Sequence, residues 1–167
     1  MTEYEENPEF KTAIDKMLAD TTIVEFNPIR EHPEVLIFSL LCIRTNKDGD
    51  HIEHKGEPII CRKIAAPFQA LTGGHYLVIA DYYFWNHANP IQQEAQLYHA
   101  LMHINIEVDK EEEDEDKKLK LGIRRPEVHV FPSEVLRFGA HTAGLLDIRE
   151  ALKQSAKQLT NTLAAKE

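Results

Sequence analysis

AQLYHALMHINIE, residues 95–107, places two histidines four positions apart in an amphipathic run. The rest of the fold is predicted outward from this stretch. Four residues advance an α-helix by about 400° and about 6 Å, so His99 and His103 project from one face, one turn apart. We predict a helix that ends near residue 104 and carries both histidines. Its apolar face consists of Ile91, Ala95, Tyr98, Leu101 and Met102.

The start of this helix is equally clear from local residue types. Asn89 can cap the helix, Pro90 suits the first helical position, and Gln92 stands where the partner of a capping box belongs. The pattern therefore predicts that the helix begins at Pro90.

Two histidines in this arrangement can hold one metal ion, since each imidazole can place a nitrogen about 2 Å from the same zinc. Tetrahedral zinc needs a third protein ligand, and a catalytic site leaves its fourth position to water. In zinc peptidases, a glutamate directly after the first histidine takes a proton from that water. Here that position is Ala100, which has no proton acceptor. Taken alone, the pair favours two amphipathic histidines on a half-buried helix without metal; the alternative is a pair of metal ligands without a general base.

Outward from this helix, the chain predicts an α+β fold, with a small mixed or antiparallel sheet packed against the histidine-bearing helix. Residues 8–19 have apolar side chains at helical spacing and predict a first helix. Four β-rich runs follow, and residues 55–58, KGEP, are interpreted as a hairpin turn inside the third run. The runs are TTIVEF (21–26), VLIFSLLCI (35–43), HIEHKGEPIICRKI (51–64) and HYLVIADYYFW (75–85), the last a buried strand followed by an aromatic segment.

The C-terminal part of the chain predicts a loop and further helices. Residues 107–120 carry eight acidic residues and four lysines, which is typical of a solvated loop. A short helix is expected from about residue 133 to a stop at Gly139. An amphipathic helix is expected over about residues 145–165. We interpret residues 1–167 as one domain, which is long enough to bury a core of its own.

Bulk composition argues against several classes of protein. A net charge of −9 argues against a nucleic-acid-binding surface, and no apolar run approaches the length needed to span a bilayer. The first ten residues are acidic and polar, unlike a secretory signal. Cys42 and Cys61 stand in apolar contexts and predict buried thiols on strands, so a reducing cytoplasm is expected.

Two segments resemble the phage metallopeptidase family: residues 75–104, which end in the histidine-bearing helix, and residues 124–139, RRPEVHVFPSEVLRFG. Members of that family show a hydrophobic strand, a tryptophan, a helix leading into His-Glu-x-x-His, and later an Arg-aromatic-Gly. Residues 55–79 are also similar to the family's Lys-Gly and Leu-Thr-Gly stretch, so the resemblance covers about residues 35–140. The matching positions are Trp85, Glu94-Ala95, His99, His103, Pro126, Phe131 and Arg137-Phe138-Gly139.

The resemblance implies a zincin-like domain in which His99 and His103 hold zinc. The chain departs from the family twice: Ala100 replaces the glutamate, and Glu127 stands where the family has an aspartate, beside a histidine that is absent here. His129 lies two residues further on. The third zinc ligand is therefore expected to be Glu127 or His129, and the sequence does not choose between them.

One more acidic residue is a candidate ligand by spacing alone. Glu107 stands four residues after His103 and would share its face if the helix continued that far. We favour its interpretation as the first residue of the acidic loop. No residue is assigned a catalytic role.

Three hypotheses about function follow. The first is a catalytically degenerate metallopeptidase-like domain that retains zinc and acts through a protein partner, without direct contact to nucleic acid or membrane. The second is an active zinc-dependent hydrolase with a substitute base, either Glu127 or a group of the substrate. The third is an acidic, metal-free interaction protein that acts as a decoy against a host DNA-binding factor. Each places the chain in the cytoplasm of a bacterial host cell; the oligomeric state is left open.

Overall fold

Five α-helices and two β-sheets make up the part of the chain that the structure, a computed structural model, describes: residues 1–108, 119–125 and 137–138. Glu127, His129 and the helix expected over about residues 145–165 lie outside the described residues. All the elements below belong to one compact unit, residues 1–131. The assignment of residues 1–167 to a single domain stays a prediction.

The larger sheet is mixed and has two parallel strands at its centre. It consists of β1 (Thr2–Glu5), β2 (Ile37–Arg44), β3 (Ile59–Lys63) and β4 (Tyr76–Asp81), in the spatial order β1-β2-β4-β3. The central strands β2 and β4 run parallel, and each edge strand is antiparallel to its neighbour. The α+β prediction with a mixed sheet is confirmed.

Several helices pack on this sheet, and a second, two-stranded sheet follows the last helix. Besides a 3₁₀ turn at Val24–Phe26, the helices are α1 (Pro8–Ala19), α2 (Asn27–Arg30), α3 (Ala66–Thr72), α4 (Tyr82–His87) and α5 (Pro90–Met102). The antiparallel pair is β5 (Ile104–Val108) and β6 (Leu119–Ile123).

Aromatic pairs join the helices in the core. The ring of Phe10 on α1 meets Trp85 on α4 edge-on, with centroids 4.7 Å apart, and Phe26 lies 5.4 Å from Tyr98 on α5. All four side chains are buried. Burying a large apolar side chain stabilises a fold by about 1.5–3 kcal/mol, and α5 also packs against β3. The position of α5, and of its histidines, is therefore set by the core.

Two of the expected β-rich features are wrong. Residues 21–26 form a turn and the 3₁₀ helix, because Ile23, Phe26 and Ile29 recur every third residue and are all buried on that period. KGEP is not a hairpin turn, since β3 pairs with β4 and not with a strand directly before it. Residues 51–57 are all exposed and have no apolar alternation from which a partner strand could form. They belong to a loop between β2 and β3, residues 45–58, which we call the β2–β3 loop.

The predicted start of the motif helix is confirmed and its end is close to the prediction. Asn89 and Gln92 form a complete capping box, with hydrogen bonds of 2.9 and 3.1 Å between each side-chain oxygen and the other's backbone N–H. The helix ends at Met102, because Ile104 already pairs with Ile123 in the second sheet.

Both cysteines lie on strands, as predicted. Cys42 on β2 is buried, Cys61 on β3 is half-buried, and both are free thiols. Strand β4 separates the two strands that carry them. Among the described residues, every helix is too short or too polar to span a bilayer.

Candidate metal centre

The C-terminal end of α5 brings the two motif histidines together. His99 lies in the last turn of the helix and is buried, and the half-buried His103 caps the helix end. Their Nε2 atoms are 3.2 Å apart, and the ring planes meet at 78°. The i, i+4 spacing therefore produces the converging pair that helical geometry predicts.

A backbone carbonyl fixes the orientation of the His103 ring. Its Nδ1 lies 2.6 Å from the carbonyl oxygen of Arg124, just beyond β6. A carbonyl oxygen only accepts hydrogen bonds, so Nδ1 carries the proton and donates it, and the lone pair of the neutral ring is on Nε2. The backbone N–H of Arg124 in turn donates to the carbonyl of His103 at 2.7 Å. Metal-binding histidines are commonly oriented by a hydrogen bond of this kind.

The β2–β3 loop adds a carboxylate that the sequence did not point to. Glu57 offers a side-chain oxygen that lies, with one nitrogen each from His99 and His103, in a cluster whose atoms are all within 4.8 Å of one another. It is the one group of three or more side chains that could hold a metal ion within residues 1–108, 119–125 and 137–138.

The register of the sheet explains how Glu57 reaches the helix end. Ile59 on β3 pairs with Ala80 on β4, and the next bond outward runs from the N–H of Asp81 to the carbonyl of Pro58 at 2.8 Å. Glu57 is therefore the first residue beyond the paired edge. Since β3 packs against α5, this end of the strand delivers the carboxylate to the histidines.

The donor set fits a zinc ion. Two histidines and one glutamate are a ligand set used by zinc peptidases. Two nitrogens bound at about 2.0–2.1 Å to a tetrahedral ion are about 3.3 Å apart, close to the 3.2 Å observed. The same distance suits a hydrogen bond between two neutral imidazoles, so the pair by itself does not indicate metal. The exposed Glu57 carboxylate beside the pair is what favours a metal centre.

The remaining expected ligands fall in three groups. The structure brings His99 and His103 together, as expected. Glu127 and His129 lie outside the described residues, so a role for either stays a prediction. Glu107 lies on β5, where its carboxylate accepts a hydrogen bond of 2.8 Å from the Asn105 amide, and it is not part of the cluster.

Other histidines of the described chain make separate contacts. The Nδ1 of His75 accepts from the N–H of Leu36 at 3.1 Å. The ring of His87 stacks on Tyr83 with centroids 4.2 Å apart. These contacts place both rings outside the cluster.

Sequence reasoning missed Glu57 because its neighbours suggested a turn. It precedes His99 by 42 positions, and no helical or strand period links the two. The one usable signal was its place immediately before Pro58 and the strand that begins at the buried Ile59. A side chain at the end of an edge strand is a reasonable candidate only once the neighbour of that strand is known.

The second sheet, which supports His103 through Arg124, is tied to the main sheet by a buried tyrosine. The hydroxyl of Tyr76 on β4 lies 2.8 Å from the carbonyl oxygen of Asn105 and 2.9 Å from that of Gly122, and shares its single proton between them. Burial raises the pKa of Tyr76 to about 12, because the phenolate would lose its hydration. At neutral pH the tyrosine is therefore a permanent donor.

Comparison with known proteins adds a family. The family described as Putative phage metallopeptidase matches residues 2–160, nearly the whole chain. No curated protein and no solved structure gives a significant match.

Proposed function

The chain belongs to the phage metallopeptidase family, and on that premise we propose that it is a zinc-binding, peptidase-like domain without its own general base. The observation that carries this proposal is the cluster of Glu57, His99 and His103 directly beside Ala100. Three side chains that could hold a metal ion lie together, while the position that holds the base in the family has only a methyl group.

The residues of the site have separable roles. Glu57, His99 and His103 would hold the ion, and the hydrogen bond to the Arg124 carbonyl keeps Nε2 of His103 directed at it. Bound zinc supplies a fixed positive charge and a Lewis acid. Ala100 accepts no proton, and loss of a general base costs about 10²–10⁴ in rate. The site is therefore better suited to binding than to catalytic turnover of a substrate.

Metal binding would also stabilise the fold. The ligands come from the exposed β2–β3 loop and from a helix end, two segments that the chain separates by 42 residues. An ion that binds only the folded arrangement adds its binding free energy to folding. The structural role therefore does not depend on catalysis.

Metal content and affinity test this proposal. We expect near-stoichiometric zinc in the purified wild type. We expect at least tenfold weaker binding in His99→Ala, His103→Ala and Glu57→Gln, measured by competition with a chromogenic chelator. His87→Ala is the matched control, because its ring lies outside the cluster. A wild type that binds no zinc, or histidine variants with wild-type affinity, would overturn the proposal.

A second function is favoured by the same carboxylate. If Glu57 is a base and not a ligand, it would take a proton from water as the water oxygen attacks a peptide carbonyl carbon. It would then return the proton to the departing amine nitrogen as the C–N bond breaks. Glu57→Gln separates the two roles: unchanged zinc affinity with lost peptide cleavage indicates a base, and lost affinity indicates a ligand.

Restoring the family's glutamate tests whether the site remains competent. We expect Ala100→Glu to gain zinc-dependent peptide cleavage over the wild type, and Ala100→Gln, of the same shape but without a basic oxygen, to gain none. Position 100 is fully buried, so overpacking is expected to destabilise both variants by about 1–3 kcal/mol. Cleavage is therefore compared at matched folded fractions, measured by circular dichroism. Equal cleavage by both variants would contradict the expected role of the new carboxylate.

A groove on the main sheet is the surface that we propose for binding a protein partner. It has a volume of about 670 Å³. Helix α3 at its margin buries no side chain, and Phe68 and Leu71 are 63% and 82% exposed. Exposed apolar surface of this kind marks interaction sites. Apolar side chains that line the groove include Phe38, Leu40, Ile64, Phe68 and Leu77.

Charge indicates which partner suits this groove. Lys11, Arg62 and Lys63 line it against Glu6, in a chain with a net charge of −9. We propose that the groove binds an acidic peptide segment whose apolar side chains enter it. Selection from a random peptide display library should enrich Asp or Glu beside apolar residues, and Arg62→Glu should weaken the selected peptides. Enrichment of basic peptides would overturn this choice and favour the acidic decoy.

A further inference from the structure

Asp81, at the end of β4, is hydrogen-bonded to the β2–β3 loop on both sides of Glu57, through its side chain on one side and its backbone on the other. Asp81 is only 3% exposed. One of its side-chain oxygens accepts from the N–H of His54 at 3.0 Å, and its own N–H donates to the carbonyl of Pro58 at 2.8 Å. A single residue thus holds the loop three positions before Glu57 and one position after it.

The same carboxylate has two further bonds. Its other oxygen accepts from the N–H of Tyr83 at 3.1 Å and so caps α4, while Arg44 on β2 donates to the first oxygen at 3.2 Å. The cap needs only one neutral acceptor, which asparagine or serine would supply as well. Capping the helix therefore does not require a buried carboxylate that is paired with arginine. The additional hydrogen bond of this carboxylate goes to the loop.

Within the loop, the His54 side chain lies against Gly56. A Cβ added to Gly56 would lie 2.8 Å from Nε2 of His54. The loop's other end is also closed, since the N–H of Ile52 donates to the carbonyl of Arg44 at 2.9 Å. The exposed side chain of Glu57 thus stands on a backbone that is fixed on both sides.

We propose that Asp81, paired with Arg44, is a positioning residue for the metal centre: it fixes residues 54–58 so that the Glu57 carboxylate meets His99 and His103. This inference rests on the proposed function, because it assumes that Glu57 is a metal ligand. It adds a residue that would touch neither metal nor substrate and acts through the loop.

Asp81→Asn separates positioning from capping. Asparagine has nearly the same shape and caps α4 equally well, but its one side-chain oxygen cannot serve both Tyr83 and His54, and its amide does not pair with Arg44. We expect zinc affinity to fall about 10–100-fold, as when a residue that orients a metal ligand is lost. In the metal-free protein, the His54 amide should lose its protection from hydrogen exchange. Asn7→Asp, at the cap of α1, is the matched control and should leave both quantities unchanged.

A double-mutant cycle distinguishes positioning from general destabilisation. If Asp81 acts through Glu57, adding Asp81→Asn to Glu57→Gln should weaken zinc binding little further. Fully additive losses would overturn the inference. Wild-type affinity in Asp81→Asn would also overturn it, provided that Glu57→Gln binds weakly. If Glu57→Gln itself binds like the wild type, the proposed ligand set fails instead.

A second variant serves if Asp81→Asn does not fold. Arg44→Gln leaves the Asp81 carboxylate and its cap in place and removes only the charge that holds it. We expect weaker zinc binding and faster exchange at His54, both smaller than in Asp81→Asn. Unchanged affinity and unchanged exchange in Arg44→Gln would contradict the role assigned to the pair.

Discussion

The two halves of the candidate metal centre are built in opposite ways. The histidines stand on α5, which has a complete capping box and a buried second half. Glu57 stands on an irregular loop whose residues 51–57 are all exposed. The hydrogen bonds that shape the helix are local, each joining residues four apart in the chain. The loop keeps its shape through Asp81, which is distant in sequence. A substitution in the core should therefore disturb the whole fold, and one in the loop only the site.

The largest expected effect on stability comes from a substitution that weakens the packing of α5. Leu101 is fully buried on α5, and Leu101→Ala should lower the free energy of unfolding by about 2–5 kcal/mol through lost burial and a cavity. Ile91→Ala on the same helix is the matched control, because Ile91 is 65% exposed and its loss should cost about 0.5 kcal/mol or less. Urea denaturation measures both. Similar values would mean that α5 is not held by the core.

A pair of matched asparagine substitutions compares the two halves directly. Asn89→Ala removes the capping box of α5 and should cost about 1 kcal/mol. Asn46 organises the start of the loop by accepting from the N–H groups of Asp48 and Asp50, each at 2.9 Å. Asn46→Ala should cost about 0.5 kcal/mol or less in global stability, while amide exchange in residues 46–52 becomes faster. Urea denaturation measures the global stability, and amide hydrogen exchange measures the local effect. A larger loss of global stability from Asn46→Ala than from Asn89→Ala would contradict the comparison.

Loss of the Tyr76 hydroxyl, which joins the two sheets, should lower the free energy of unfolding about as much as loss of the α5 capping box. Tyr76→Phe removes the donor shared by the carbonyls of Asn105 and Gly122 and should cost about 1–2 kcal/mol, because two acceptors lose their partner in the interior. The substitution acts on the side of the site that supports His103 and not on the loop. Exchange at the His54 amide should therefore stay as in the wild type, and a change there would contradict the separation of the two halves.

The smallest effect near neutral pH concerns the Cys61 thiol and the Tyr76 hydroxyl. Burial raises the pKa of Cys61 from 9.0 to about 12 and that of Tyr76 from 10.0 to about 12. The folded state thus holds these protons more tightly than the unfolded state, so the stabilisation is complete below about pH 9 and is lost as pH rises toward 12. Neither group should alter stability between pH 6 and about pH 8.5. A double variant, Cys61→Ala with Tyr76→Phe, should show a shallower loss above pH 9 in urea denaturation; an unchanged slope would exclude both groups as its source.

The sequence predicted most of what depends on neighbours along the chain. The capping residues Asn89 and Gln92 and the convergence of His99 with His103 were correctly expected, since a helical turn is defined within four residues. The strand over residues 21–26 was wrong, because burial of Ile23, Phe26 and Ile29 outweighed β propensity. Secondary-structure propensity is a weak predictor wherever burial of apolar side chains can follow a different periodicity.

Glu57 shows most clearly what only the tertiary structure decided. The absence of a base at Ala100 and the pairing of the histidines were determined by the sequence alone, because each depends on positions within one turn of helix. The approach of Glu57 depends on the pairing of Ile59 with Ala80 and on the bonds that Asp81 makes to the loop. Strand pairing joins residues that are far apart in the chain, and its register is set by packing across the whole sheet. No local pattern around Glu57 could therefore have identified its neighbours.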